Sequence, residues 1–239
     1  MNSGKNQMDL TRALVDLCHR PEPDRGPDSK YEYFEDADYR QAAARLLAGK
    51  PDGPLYIFGY GSLIWKPEFE VAGRKKGLAA GWHRSFCMEV RRWRGTFEQP
   101  GLMMCLDRGG SCEGVLLGIP DGQEAQSLEL LLRREIGSHE ELESVRWIDV
   151  QCGAEATTAL AFYAHPGEID QYAGDVPLEL AAGILARACG HWGSGAEYLY
   201  NTVLHLEELG IHDADLWTLQ RLVAAEIAKL HLSAALPAK

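Results

Sequence analysis

No stretch of this chain approaches the roughly 20 consecutive apolar residues that a membrane-spanning helix needs, so none is predicted. Positive charge is also scarce. The 24 Lys and Arg residues face 35 Asp and Glu, for a formal net charge of -11. That balance argues against a nucleic-acid or anionic-membrane partner, while leaving room for one small basic pocket. The opening MNSGKNQMDLTRALVDLCHR has neither an apolar signal core nor a small-residue cleavage site, so the expected location is cytoplasmic. The six cysteines (Cys18, Cys87, Cys105, Cys112, Cys152 and Cys189) form no Cys-x-x-Cys pair. They read as reduced, mostly buried thiols. His205 and His212 come near ligand spacing, but Gly210 lies between them at a helix end, so no metal site is expected.

What the chain does have is an apolar segment that runs directly into glycines and a serine, LYIFGYGSLIW at 55–65. A dinucleotide loop would need a third glycine where Ile64 stands, and a Walker-type loop would need Gly-Lys-Ser/Thr. A nucleophile elbow requires Gly-x-Ser-x-Gly, but Tyr60 and Ile64 occupy the glycine positions around Ser62. Two readings remain. Gly59 and Gly61 either permit a tight exit from a strand, or they expose successive N–H groups that form, with the Ser62 hydroxyl, a nest for a small acid.

Around that loop the pattern is α+β. Residues 1–50 read as a helical extension: a short helix at 8–18, the linker PEPDRGPDSK, and a second helix at 36–48 capped by Asp36 or Asp38. A main domain is expected over 51–232, with a tail at 233–239. Strand character falls on 55–58, 78–90, 102–106, 113–119, 146–150 and 157–163, with DRGGSC as the expected hairpin connection inside the third and fourth. A helix is predicted at 123–136. Three more close the chain: one from Pro177 to about Gly190, one opened by the capping-box pattern Ser194-Gly-Ala-Glu197, and one over 213–230. Strands come early and helices late, which predicts a largely antiparallel or mixed sheet, curled or closed, packed by helices.

Within SLELLLRREIGS (127–138), Leu128, Leu131 and Leu132 form an apolar stripe at helical spacing. Glu135 continues that stripe, and by the same spacing Arg133 and Arg134 point elsewhere. Burying a carboxylate costs several kcal/mol unless it is partnered. Desolvation and the helix C-terminus both raise its pKa toward the range of a working general acid or base. The competing readings are a buried salt bridge with Arg84 or Arg94, or fraying that lets Glu135 reach water.

Tyr60-Gly61-Ser62-Leu63 followed by Ile64-Trp65-Lys66-Pro67 resembles the signature loop of the ChaC-type γ-glutamylcyclotransferases. The similarity continues through His83-Arg84-Ser85-Phe86, Arg94-Gly95-Thr96, Pro100-Gly101, Cys112-Glu113-Gly114-Val115, Arg134-Glu135, Ala196-Glu197-Tyr198-Leu199 and Asn201-Thr202. It extends in order over about residues 55 to 230. The resemblance implies a small mixed β-barrel with helices outside it. It further implies cofactor-free cleavage of glutathione to 5-oxoproline and cysteinylglycine. By that resemblance Glu135 is the catalytic residue, Tyr60, Gly61, Ser62 and Leu63 hold the γ-glutamyl head group, and Tyr198 lines the pocket. Arg94 is a candidate for the glycine carboxylate of glutathione, against a solvated strand end as the alternative. His139 is a candidate acid for the leaving amine, against a solvated loop histidine. A cyclotransferase for other γ-glutamyl compounds, and a non-catalytic small-acid binder, are the rival functions.

Overall fold

A computed structural model describes residues 7–165 and 171–234. The expected tail, 233–239, lies outside the described residues beyond Ala234. Five strands form a closed barrel in the order β1-β3-β2-β4-β5. They are β1 (Tyr56–Gly59), β2 (Gly73–Val90), β3 (Gly101–Gly118), β4 (Val145–Cys152) and β5 (Glu155–Phe162). β1 runs antiparallel to β3, from Tyr56 opposite Gly118 to Gly59 opposite Val115. It is parallel to β5, with Ile57 opposite Leu160. β4 is antiparallel to β2 and to β5. The parallel β1–β5 seam beside these antiparallel ones makes the sheet mixed, and with the helices the class is α+β.

The chain divides into two compact units. One comprises residues 28–87 and 104–174. It holds β1, most of β2 and β3, β4, β5, and the helices α2 (Asp36–Ala48) and α3 (Glu124–Glu135). Its core includes Ile57, Phe58, Leu106, Leu116, Leu117, Leu128, Leu132 and Leu160, all fully buried. α2 packs on α3.

The other unit comprises residues 1–27, 88–103 and 175–239. It contains α1 (Arg12–Leu17), α4 (Leu178–Arg187), α5 (Gly195–Glu208) and α6 (Ala214–Ala234). These pack on one another around Leu185, Leu199, Val203 and Ile227. α5 opens as its sequence dictates, with the Ser194 hydroxyl accepting from the Glu197 N–H at 3.1 Å. The segment expected to be a linker has no helix or strand over 19–28, yet ion pairs pin it: Asp24 to Arg92 at 2.8 Å and Arg25 to Glu98 at 2.6 Å.

One expectation needs correction. DRGGSC is not a hairpin connection, because β3 runs unbroken for 18 residues through it. Gly109 (φ 105°) and Gly110 (φ 63°) give the strand a local kink that other residues rarely adopt, rather than reversing it. The contact boundary falls after Pro27, and α2 belongs with the barrel strands and α3.

Candidate active site

The loop after β1 is a short 3-10 turn, Ser62–Ile64, fastened from three directions. The Arg84 Nε donates to the Tyr60 carbonyl at 2.7 Å, and its Nη2 reaches the Glu113 carbonyl. The Arg74 Nη1 donates to the Ile64 carbonyl at 2.6 Å. The Arg134 Nη2 donates to the Ser62 Oγ at 2.8 Å. Tyr60, Gly61 and Leu63 are buried and Ser62 is half-buried. Beneath the loop, Gly114 of β3 lets the backbone of β1 approach closely. A Cβ there would sit 2.5 Å from the Phe58 ring and 2.8 Å from the Gly59 carbonyl.

α3 ends at Glu135, because Ile136 is already extended (φ -132°, ψ 148°). Leu128, Leu131 and Leu132 are buried on one face as the spacing predicts, and the Glu135 side chain keeps 22 % of its surface exposed. Its partner is neither Arg84 nor Arg94. The Arg134 Nε lies 2.8 Å from the Glu135 Oε1, so Arg134 does not point away as helical spacing implies. The helix stops at the next residue, and a long guanidinium stem at its last turn is free to fold back along the terminus. Ser62, Arg134 and Glu135 are thus joined in a hydrogen-bonded chain. Ser62 accepts from Arg134, which leaves its own O–H available to donate.

Burial pushes the Glu135 carboxyl above its ordinary value of 4.5, Arg134 pulls it back, and the Glu68 carboxylate adds to the rise. Glu68 stands just past the loop with φ 61°, a left-handed conformation uncommon for glutamate, and pairs with Lys66 at 3.0 Å. A carboxylate of raised pKa, tied to a rigid loop by an arginine, has the properties of a proton shuttle.

The segment after Glu135 is held just as firmly. Glu141, whose carboxyl is also raised by burial, accepts from the N–H groups of Gly137 (2.5 Å) and Ser138 (3.2 Å). This explains the acidic character of 136–142: one of its glutamates caps the turn. On the α2 side, the Phe34 N–H donates to the Gly137 carbonyl at 2.8 Å, and Tyr33 bridges Ser138. The Tyr39 hydroxyl donates to the Ile136 carbonyl at 3.3 Å. Arg133 pairs with Asp36 at 2.7 Å and lies over the Tyr39 ring. His139 belongs to the same brace: its ring packs edge-on to Phe34 at 4.5 Å and sits 3.9 Å from the Asp38 carboxylate.

Arg94 and Tyr198 belong to the other unit and cluster with each other there. The Arg94 Nη1 donates to the Ser194 carbonyl (2.9 Å) and to Glu197 (3.2 Å), and its guanidinium lies 5.4 Å from the Tyr198 ring centroid. Among the described residues no group of three or more His, Cys, Asp or Glu is placed to hold a metal ion. The Cys105 thiol is pushed well up by its hydrogen bond to Cys87, by burial, and by the charges of Cys87, Glu135 and Asp107, so it stays protonated.

Sequence spacing missed three contributors: Arg134, the loop-fastening role of Arg84, and Glu68. Arg84 has a legible signal, as a charged residue between Trp82 and Phe86 on the buried face of an alternating strand segment. Arg134 has none in the periodicity.

The profile of the ChaC-like protein family matches residues 55–226, and the chain belongs to that family. It is 37 % identical over 179 residues to the glutathione-specific γ-glutamylcyclotransferase of Escherichia coli, covering 74 % of this chain and 77 % of that one. It is 34 % identical over 149 residues to the mouse glutathione-specific γ-glutamylcyclotransferase 1, covering 61 % of this chain and 66 % of that one. The fold is that of a solved yeast γ-glutamyl cyclotransferase specific to glutathione, with a TM-score of 0.62 at 18 % identity, over 73 % of this chain and 97 % of that one. Among the described residues no helix is long and apolar enough to cross a membrane.

Proposed function

We propose that this chain is a γ-glutamylcyclotransferase that cleaves glutathione to 5-oxoproline and cysteinylglycine, with Glu135 as the general acid and base. The observation that carries this reading is the Ser62–Arg134–Glu135 chain, in which a carboxylate of raised pKa is fixed beside the Tyr60–Leu63 loop. The reaction needs no protein nucleophile, because the attacking nitrogen is the substrate's own α-amine. Glu135 takes a proton from the α-ammonium, and the freed amine attacks the γ-amide carbon to close a five-membered ring. The ring nitrogen sheds its second proton as the carbon–nitrogen bond to cysteine breaks, and Glu135 relays both protons to the departing amine, which leaves as an ammonium. Every atom of glutathione is accounted for in the two products, and no cofactor is consumed.

The enzyme's task is to hold the flexible γ-glutamyl arm in the cyclising geometry. Tyr60, Gly61, Ser62 and Leu63 are assigned to that head group, with the Ser62 hydroxyl as donor. Tyr198 is assigned to the pocket by the family resemblance and Arg94, by its charge, to the glycine carboxylate of glutathione, and Tyr198→Phe tests whether the tyrosine hydroxyl contributes. The segment 28–48 serves as a brace for the residues that follow Glu135. Cytoplasmic location fits a substrate that is abundant inside cells. The test is incubation of the purified protein with glutathione, scoring 5-oxoproline and Cys-Gly. Release of both by wild type and neither by Glu135→Gln supports the reading. Binding of glutathione without turnover would instead support a non-catalytic module.

A further inference from the structure

Among the described residues, one donor at the site has no partner. The Arg134 side chain is 12 % exposed, its Nε faces Glu135 and its Nη2 faces Ser62, but its Nη1 is buried and has no partner among the described residues. A buried polar group left unpaired costs about 1–3 kcal/mol, and more when it is charged. A charged fork with two prongs anchored and a third empty is a preformed receptor for an anionic oxygen. We propose that Arg134 Nη1 receives the α-carboxylate of the γ-glutamyl group, making Arg134 a substrate-binding residue. This rests on the reaction proposed above and adds to it the group that recognises the substrate's amino-acid end.

The charge balance supports the assignment. The γ-glutamyl α-carbon carries an ammonium and a carboxylate on one atom, and Glu135 and Arg134 present the opposite signs side by side. Docking therefore sets one ion pair against its complement. When Glu135 takes the ammonium proton it becomes neutral, and Arg134 would lose its counter-charge inside the site. A carboxylate on Nη1 supplies that charge at the moment it is needed. A neutral amide oxygen at the same position would not. The Ser62 hydroxyl, which accepts from Nη2, keeps its proton free for the γ-amide oxygen.

The experiment compares glutathione with an analogue whose γ-glutamyl α-carboxylate is a primary amide, scoring Cys-Gly release by wild type, Arg134→Gln and Arg134→Lys. Wild type should favour the acid by roughly 10- to 100-fold in kcat/KM, the range that one hydrogen bond to a charged group supplies, with most of the effect in KM. Arg134→Gln should abolish that preference. Arg134→Lys, which keeps the charge and loses the fork, should retain part of it. The intrinsic difference between the two substrates cancels in the ratio between enzymes. Arg134→Gln should also move the acidic limb of the kcat/KM profile to higher pH, because Glu135 loses the cation that favours its charge.

A preference that survives in Arg134→Gln, with turnover of both substrates reduced equally, would overturn the proposal and place Nη1 on the γ-amide oxygen. Should neither variant fold, wild type alone decides: 5-oxoproline should inhibit and 5-oxoprolinamide should not, and equal inhibition by the two overturns the assignment. Absence of any 5-oxoproline release by wild type is a separate outcome, which defeats the reaction rather than the role of Arg134.

Discussion

Glu135 is under opposing influences: burial and Glu68 disfavour its charge, while Arg134 favours it, and the net result is a raised pKa. This predicts a trade between stability and activity. With a native pKa above the unfolded value, the folded state binds more protons across that interval. Stability is therefore fully present below about 4.5 and falls as pH rises through the native pKa. Glu135→Gln resembles the protonated form and avoids that loss. Its melting temperature should exceed that of wild type at neutral pH, with the gap closing as pH drops below about 4.5. Activity should move the other way. Removing a general acid and base typically costs about 10²- to 10⁴-fold, and kcat should fall within that range. In wild type the acidic limb of kcat/KM should lie above the ordinary carboxylate range, because the free enzyme needs Glu135 ionised to accept the ammonium proton. Ser62→Ala tests the loop end of the chain, since it removes both the acceptor for Arg134 and the proposed donor to substrate. It should lower kcat/KM by about tenfold, the worth of one hydrogen bond.

At the scale of elements, the end of α3 is a junction of three segments. Glu141 caps the turn after it, the Phe34–Tyr39 region braces that turn, and Arg134 ties it to the loop after β1. Glu141→Ala leaves the Gly137 and Ser138 N–H groups without that acceptor and should cost about 1–3 kcal/mol in urea unfolding, with a fall in kcat. Asp36→Ala should cost under about 1 kcal/mol, because the Asp36 side chain is 77 % exposed and screened by solvent. Gly114→Ala should destabilise by about 1–3 kcal/mol through overpacking, since the nearest obstacles include the Gly59 backbone as well as the Phe58 ring.

Much of this architecture is legible in the sequence where one force dominates. The stripe through Leu128, Leu131 and Leu132 marks α3, and Ser194 with Glu197 marks the start of α5. Legibility fails where one residue type serves two purposes. Gly109 and Gly110 provide positive φ, which a hairpin turn and a strand kink require equally, and only pairing along the whole of β3 separates them. Arg134 fails for a different reason. Helical spacing places side chains only while the helix continues, and α3 ends one residue later, where a long stem is free to fold back onto Glu135.

For the whole molecule, the family domain at 55–226 accounts for the barrel, the loop and Glu135, while the brace at 28–48 lies before it. In the proposed chemistry Glu135 transfers the proton and the substrate supplies its own nucleophile, so dialysis against EDTA should leave turnover unchanged. A panel of γ-glutamyl amines and γ-glutamyl amino acids, assayed beside glutathione, distinguishes a glutathione enzyme from one that reads only the γ-glutamyl half. The central claim is that Glu135 moves the proton that lets the γ-glutamyl amine attack its own amide. Its most direct test is single-turnover release of 5-oxoproline from glutathione by wild type and Glu135→Gln, both shown to be folded and to bind the substrate. The account predicts stoichiometric 5-oxoproline from wild type and a rate at least about 10²-fold lower from the variant. Equal rates from the two proteins would contradict it.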